Sequence, residues 1–196
     1  MIRKDLIVAS LLTFCLAATL FMVATTRSQE VGTANIFLKI DGIIGESTDS
    51  FHMDQIEIIS FSWGENQTTL SGAGVSSSQA KMRNFRFQAR VSRSSPLLFL
   101  WCANGRVLRY ATLSVRTWIG SETLESFDYL IWYFRDVSIT SYNTKMDPAN
   151  SMPIDEFTIS FGKIGVWYAQ NPLSPYFKEG WDLKANKPWI PEPPQV

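Results

Sequence analysis

The chain has 196 residues, enough for one domain of ordinary size plus appendages. Its 18 basic and 18 acidic residues balance to a formal charge of zero, which argues against a nucleic-acid binder with its basic excess or stripe. With 45% apolar and 13% aromatic residues a sizeable core can be buried, and the aromatic and β-branched residues of the middle of the chain favour strands over helices.

Arg3 and Lys4 precede an uncharged run from Leu6 to Ala24. A basic flank before an apolar run reads as an export signal, and the run is also just long enough to cross a bilayer as a helix. Residues 1–26 are therefore expected to be a signal peptide cleaved near Ala24-Thr25-Thr26 or a retained membrane anchor. In the second case membrane contact comes only through residues 6–24. Met22 leaves open a later start. The expected location is secreted, or periplasmic or membrane-anchored through this segment. Residues 27–33 read as a polar linker.

The body is expected over residues 34–187. Ala34 to Asp41 reads as a first strand, with Phe37 and Lys39 on one side and Ile36, Leu38 and Ile40 on the other. Gly42 and Gly45 break it. Gln55 to Trp63 is a second strand, with Ile56, Ile58 and Ser60 opposite Glu57, Ile59 and Phe61. Gly64 to Met82, rich in glycine and serine, is long for a structureless loop and reads as an arm ordered on a neighbouring subunit. Its candidate interface residues are Gly64, Leu70, Gly72, Gly74, Val75 and Met82. Asn84 to Ser92 alternates cleanly, Phe85, Phe87, Ala89 and Val91 against Arg86, Gln88, Arg90 and Ser92.

Ser95-Pro96 starts a short helix that Asn104-Gly105 stops, with Leu97, Leu100 and Trp101 on its apolar side. Arg106 to Ile119 and Asp128 to Tyr142 are long strand candidates; Tyr129, Ile131, Tyr133, Val137 and Ile139 share one face of the second. Asn143 to Pro153 reads as a turn and Ile154 to Gln170 as a further strand bent at Gly162 and Gly165. Gly180 to Ala185 is a closing edge strand, and the proline-rich tail, 188–196, is expected extended and solvated. Six or seven strands with one short helix make a mainly β protein, an antiparallel sandwich or closed barrel of two packed sheets.

Catalytic chemistry is thin. The one histidine, His52, is expected in an exposed loop, and Cys102 is expected to be a buried small apolar residue. No HExxH, CxxC, Walker loop or GxGxxG occurs, so no catalytic residue, metal ligand or cofactor is assigned.

Six fragments nonetheless occur in an order that resembles a known family. Ala34 to Thr48 (ANIFLKIDGIIGEST), Glu57 to Gly64 (EIISFSWG) and Ser94 to Gly105 (SSPLLFLWCANG) are followed by Asp136 to Tyr142, Asp155 to Tyr168 (DEFTISFGKIGVWY) and Gly180 to Asn186 (GWDLKAN). Together they resemble the Hcp proteins of type VI secretion, whose fold is phage-tail-tube-like. The resemblance rests on Phe37, Leu38, Lys39, Asp41, Gly42, Gly45, Glu46, Ser47, Trp63, Pro96, Phe161, Gly162, Lys163 and Trp181. It implies a non-enzymatic β-barrel subunit that forms homohexameric rings. The rings stack into the tube of a contractile injection machine that meets spike and sheath proteins and carries small effectors in its lumen. The leader and the tail depart from the family pattern, so an exported Hcp-like binding or adhesion module is the alternative.

Overall fold

A computed structural model describes residues 34–66, 81–119, 125–147, 149 and 151–192. The expected leader (1–26) and linker (27–33), and Leu70, Gly72, Gly74 and Val75 of the expected arm, lie outside the described residues.

The strands are β1 (Asn35–Ile40), β2 (Ile56–Ser62), the short pair β3 (Glu65–Asn66) and β4 (Lys81–Met82), β5 (Phe85–Arg90), β6 (Val107–Ile119), β7 (Glu125–Asp147), β8 (Met152–Ser160), β9 (Lys163–Tyr168), β10 (Phe177–Asp182) and β11 (Lys187–Pro188). One helix, α1 (Ser95–Asn104), lies between β5 and β6. The main sheet runs β11-β10-β9-β7-β6-β1-β2-β5-β8, and β8 pairs again with β7. That second pairing closes six strands, β7-β6-β1-β2-β5-β8, into a barrel without free edges. β9, β10 and β11 extend the sheet outside it.

β7 makes this branching possible. Leu130 to Arg135 pair with β9, whereas Ser138 to Asp147 pair with β8. Between them Asp136 takes a φ of 53°. Gly162, in the corner joining β8 to β9, lies so close that a Cβ there would stand 3.0 Å from Asp136 Oδ2. A side chain at residue 162 would have to push the Asp136 carboxylate aside by a few tenths of an ångström.

This break splits the face expected for β7. Ile131 and Tyr133 pack with Trp167 and Tyr176 in a small cluster of their own, while Trp132, Phe134, Val137 and Ile139 join the barrel core. A similar shift occurs in β2. A register change between Ile58 and Ser60 leaves Ile59 and Ser60 both exposed and turns Phe61 towards the core, contrary to simple alternation. In β1, Phe37 is buried along with Leu38 and Ile40, because residues 41–55 cover the side that alternation assigned to water. β5 follows its expected alternation from Phe85 to Arg90, and Val91 beyond it is exposed.

The barrel interior is aromatic. Phe85, fully buried, stacks on Trp63 at 5.3 Å and on Phe87 at 5.8 Å, and meets Trp132 and Phe134 edge-on at 5.4 and 4.8 Å. α1 closes one side with Leu98 and Trp101; Leu100, expected inside, is exposed. Its N-cap is Ser94 and makes no side-chain cap bond. Ser95 instead donates its hydroxyl to the buried Asp155 at 2.5 Å. Gly105 ends the helix with a φ of 65°, as the Asn-Gly signal predicts. Cys102 is half-buried on the rim of the core.

Two boundaries move. β7 and β8 pair to Asp147 and Met152, so the turn expected over Asn143–Pro153 shrinks to the residues between them. The described part of the tail, residues 188–192, is exposed at Pro188, Ile190 and Glu192 but is tied back to the sheet at two points. Trp189 donates its backbone N–H to Gly180 O at 2.9 Å, and Pro191 is buried over Gly165, where a Cβ would stand 2.3 Å from the proline ring. Two side-chain-free residues in β9 and β10 form the bed for this strap.

Candidate functional site

The strands of the β2–β5–β8–β7 quarter turn one face inward to the core and the other outward. Cross-strand register orders the outward face in rows. One row runs Ser62, Arg86, Thr158 and Ser141; the next runs Ser60, Gln88, Glu156 and Asn143. The register change between Ile139 and Ser141 places both Thr140 and Ser141 in solvent. No large apolar side chain interrupts these two rows.

The second row is chemically closed. Ser60 donates to Gln88 Oε1 at 3.0 Å, Gln88 donates to Glu156 Oε1 at 2.6 Å, and Lys145 donates to the same oxygen at 2.6 Å. The Lys145 hydrogen bond, followed by that from Gln88, holds the Glu156 carboxyl below its ordinary range. Beyond Gln88 the wall continues to Arg90, which lines one depression with Glu57. Further out it becomes apolar, with Ile59, Val91, Met152, Pro153 and Ile154 around a hollow of 490 Å³.

A deeper cleft of 530 Å³ opens where β3 and β4 meet the β9–β10 extension. Trp63, Met82, Trp132, Trp181, Ile164 and Val166 supply its apolar lining, and Glu65 and Glu179 its carboxylates. Trp63 and Trp132 lie 5.1 Å apart, and their indole N–H groups are buried without a hydrogen-bond partner.

His52 is buried, contrary to the exposed loop position expected for it. Its ring stacks on Phe37 at 4.4 Å, Nε2 lies 3.0 Å from Asp128 Oδ1, and Nδ1 lies 3.2 Å from Gln55 Oε1. The buried Arg116 bonds Asp49 at 3.2 Å and Ser126 Oγ at 2.9 Å, while Phe51 lies over its guanidinium at 4.3 Å. These contacts clasp residues 49–55 onto β6 and β7. One of the two ring partners, Asp128, lies on a distant strand that no local pattern could indicate.

The residues that carry the family resemblance hold turns and core. Phe37 and Leu38 are buried, and Lys39 is half-buried. Asp41 accepts two hydrogen bonds from Arg109, at 2.7 and 2.9 Å, which hold its carboxyl below the ordinary range. Gly42, with a φ of 79°, faces the Trp101 ring, and a Cβ at Gly45 would stand 2.1 Å from Gln55 O. Glu46 accepts from the Arg93 backbone, and Ser47 is buried between Asp54 and Gln55. Pro96 opens α1. Phe161 is core, Gly162 meets Asp136, and Lys163 pairs with Asp182 at 2.9 Å. Trp63 and Trp181 meet at the cleft with Met82, while Gly64 sits at the base of the short β3–β4 ladder, accepting from Arg83 N.

Among the described residues no group of three or more histidine, cysteine or acidic side chains could hold a metal ion. Nor is any helix among them long and apolar enough to cross a membrane.

The family described as "Type VI secretion system effector, Hcp" matches residues 37–168. Protein hcp1 of Pseudomonas aeruginosa is 25% identical over 159 residues, covering 78% of this chain and 96% of its own length. Among solved structures, Hcp1 from Salmonella typhimurium superimposes with a TM-score of 0.67 at 29% identity, over 80% of this chain and 99% of its own. A type VI secretion system effector from Yersinia pestis shares the fold with a TM-score of 0.60 at 24% identity, over 75% and 98% of the two chains.

Proposed function

The chain belongs to the Hcp family of type VI secretion system effectors, and from that premise we propose that it is a ring-forming structural subunit, not an enzyme. Six copies close into a ring, rings stack into the inner tube of a contractile injection machine, and small protein effectors travel in the lumen. The outward face of the β2–β5–β8–β7 quarter is the observation that carries this reading. It is polar over two full rows while its reverse side is barrel core. Such a face has little apolar area to bury against a neighbour and suits permanent contact with water, which a lumen wall requires. Contacts between copies then fall to the apolar hollow of Ile59, Val91, Met152 and Ile154, to the tryptophan-lined cleft, and to the arm between Gly64 and Met82. No cofactor takes part.

Light scattering and electron microscopy of the purified full chain test the reading. A hexamer mass with ring-shaped particles is the expected result, and a chain that stays monomeric at high concentration sinks it. The uncharged run from Leu6 to Ala24 favours a second reading, an exported module that keeps the barrel and binds at a surface instead of joining a tube. Monomers bound to a cell surface, with the leader removed by mass spectrometry, are the result that belongs to that reading.

A further inference from the structure

We propose that Arg86 forms a ring of positive charge inside the tube and selects cargo proteins that present an acidic surface. This inference rests on the reading of the polar face as the lumen wall.

The wall carries six ionised side chains among the described residues: Arg86, Arg90 and Lys145 are basic, Glu57, Asp147 and Glu156 acidic. Lys145 and Glu156 neutralise each other at 2.6 Å. Arg90 shares one depression with Glu57 and the next hollow with Asp147, so carboxylates stand on both sides of it. Arg86 has no such counterpart. It is exposed, it pairs across the strands with Ser62 and Thr158, and among the described residues no carboxylate lies within ion-pair distance of it. Glu156, on the neighbouring row, is already taken up by Lys145 and Gln88.

Each subunit thus presents, at Arg86, a positive charge with no carboxylate in ion-pair distance among the described residues, held by a strand and therefore at one height in the wall. Ring symmetry repeats that charge in a circle, and rings of like charge are how pores select ions and passing chains by sign. Hydroxyl and amide groups at Ser60, Ser62, Gln88, Ser141 and Thr158 surround it and add hydrogen bonding without charge. The wall rows hold no aromatic side chain on which bases could stack. The geometry therefore fits an acidic folded protein better than a single-stranded nucleic acid.

The test uses rings of the full chain, checked by electron microscopy, and three fluorescent probes: a glutamate-rich peptide, a lysine-rich peptide of equal length and a single-stranded oligonucleotide. Wild-type rings retain the glutamate peptide, release it as salt is raised and ignore the lysine peptide. Arg86→Gln weakens retention roughly tenfold or more, the scale of a focused charge effect, and Arg86→Glu transfers the preference to the lysine peptide. An Arg106→Gln control, placed outside the wall, leaves retention unchanged. Intact Arg86→Gln rings that hold the glutamate peptide as well as wild type overturn the inference and leave the ring reading standing. Tighter retention of the oligonucleotide overturns the assignment to protein cargo. Absence of rings in the wild-type chain removes both.

Discussion

Asp155 is a carboxylate in a core that is otherwise nearly all apolar, and three hydroxyls explain its presence. Ser95 donates to one oxygen, while Tyr142 and Thr144 donate to the other, each at 2.8 Å. The group thereby ties the start of α1 to β7 and β8. Removing it leaves the buried Ser95 and half-buried Tyr142 hydroxyls without their acceptor, while Thr144 is exposed, so Asp155→Ala should cost about 2–3 kcal/mol, and Ser95→Ala about 1–2 kcal/mol, in denaturant unfolding. Equal midpoints for wild type and Asp155→Ala would contradict this. Tyr133 acts at the opposite end of the pH scale. Burial first, then the neighbouring Tyr176 and Asp128, pushes its phenol up to about 12 from 10.0. The folded state therefore holds a proton that the unfolded chain releases from about pH 10. The contribution is complete below that value and is lost as pH rises through about 12. Tyr133→Phe should flatten the alkaline limb of the stability–pH curve, with tyrosinate absorbance following the transition. Asp41 and Asp182 have the reverse sign. The Arg109 pair lowers the first, and the Ala185 backbone N–H, then Lys163, lowers the second. Their support is present above the ordinary carboxylate range and disappears as acid carries the pH through their depressed values.

The C-terminal strap shows how glycines at two strand positions decide what an element can carry. Gly180 and Gly165 face each other across β10 and β9, and the segment Trp189–Pro191 lies on them. Gly165→Ala should expel Pro191, since the added methyl cannot stand 2.3 Å from its ring, while the six barrel strands stay paired. Faster hydrogen exchange at β11, with unchanged protection in β5 and β6, is the expected record; unchanged exchange at Trp189 contradicts it. Elements such as β5 and α1 were legible because their information is local: alternation of Phe85, Phe87 and Ala89, and a Ser-Pro start with an Asn-Gly stop. What eluded the sequence was non-local. The bulges at Ile59 and Thr140 and the positive φ at Asp136 invert alternation at single residues, and no periodicity window registers an inversion made by a tertiary branch point. The docking of Trp189 and Pro191 was not legible because proline richness signals an extended chain but says nothing of a groove that glycines open elsewhere. The polar wall was half visible, as Arg86, Gln88 and Arg90 on one strand. Its closed row needed the register to Ser60, Glu156 and Lys145.

At the scale of the molecule, the β3–β4 ladder allows the proposed contact between copies to be tested without disturbing the barrel. Glu65 pairs with Met82 and Asn66 with Lys81, so the chain leaves this short ladder at Asn66 and returns to it at Lys81. Deleting Thr69 to Ala80 would leave Gln67-Thr68 between the last paired residues, the length of a two-residue hairpin loop. Replacing those two residues by Asn-Gly supplies the positive φ values that such a loop demands. The shortened chain also loses loop-closure entropy costs that grow only as the logarithm of length, so barrel stability should change by no more than about 1 kcal/mol. Met82 and Trp63 stay in place beneath the new turn, and the cleft that they line with Trp132 and Trp181 stays open. If residues 69–80 grip the neighbouring subunit, thermal unfolding of the isolated barrel is preserved while particle mass falls from ring to monomer or to short arcs. Loss of assembly without loss of folding is therefore the expected result. Rings that form at wild-type concentrations from the shortened chain would move the contact to the apolar hollow around Ile59, Val91 and Met152, where Met152→Lys is the next substitution to break them.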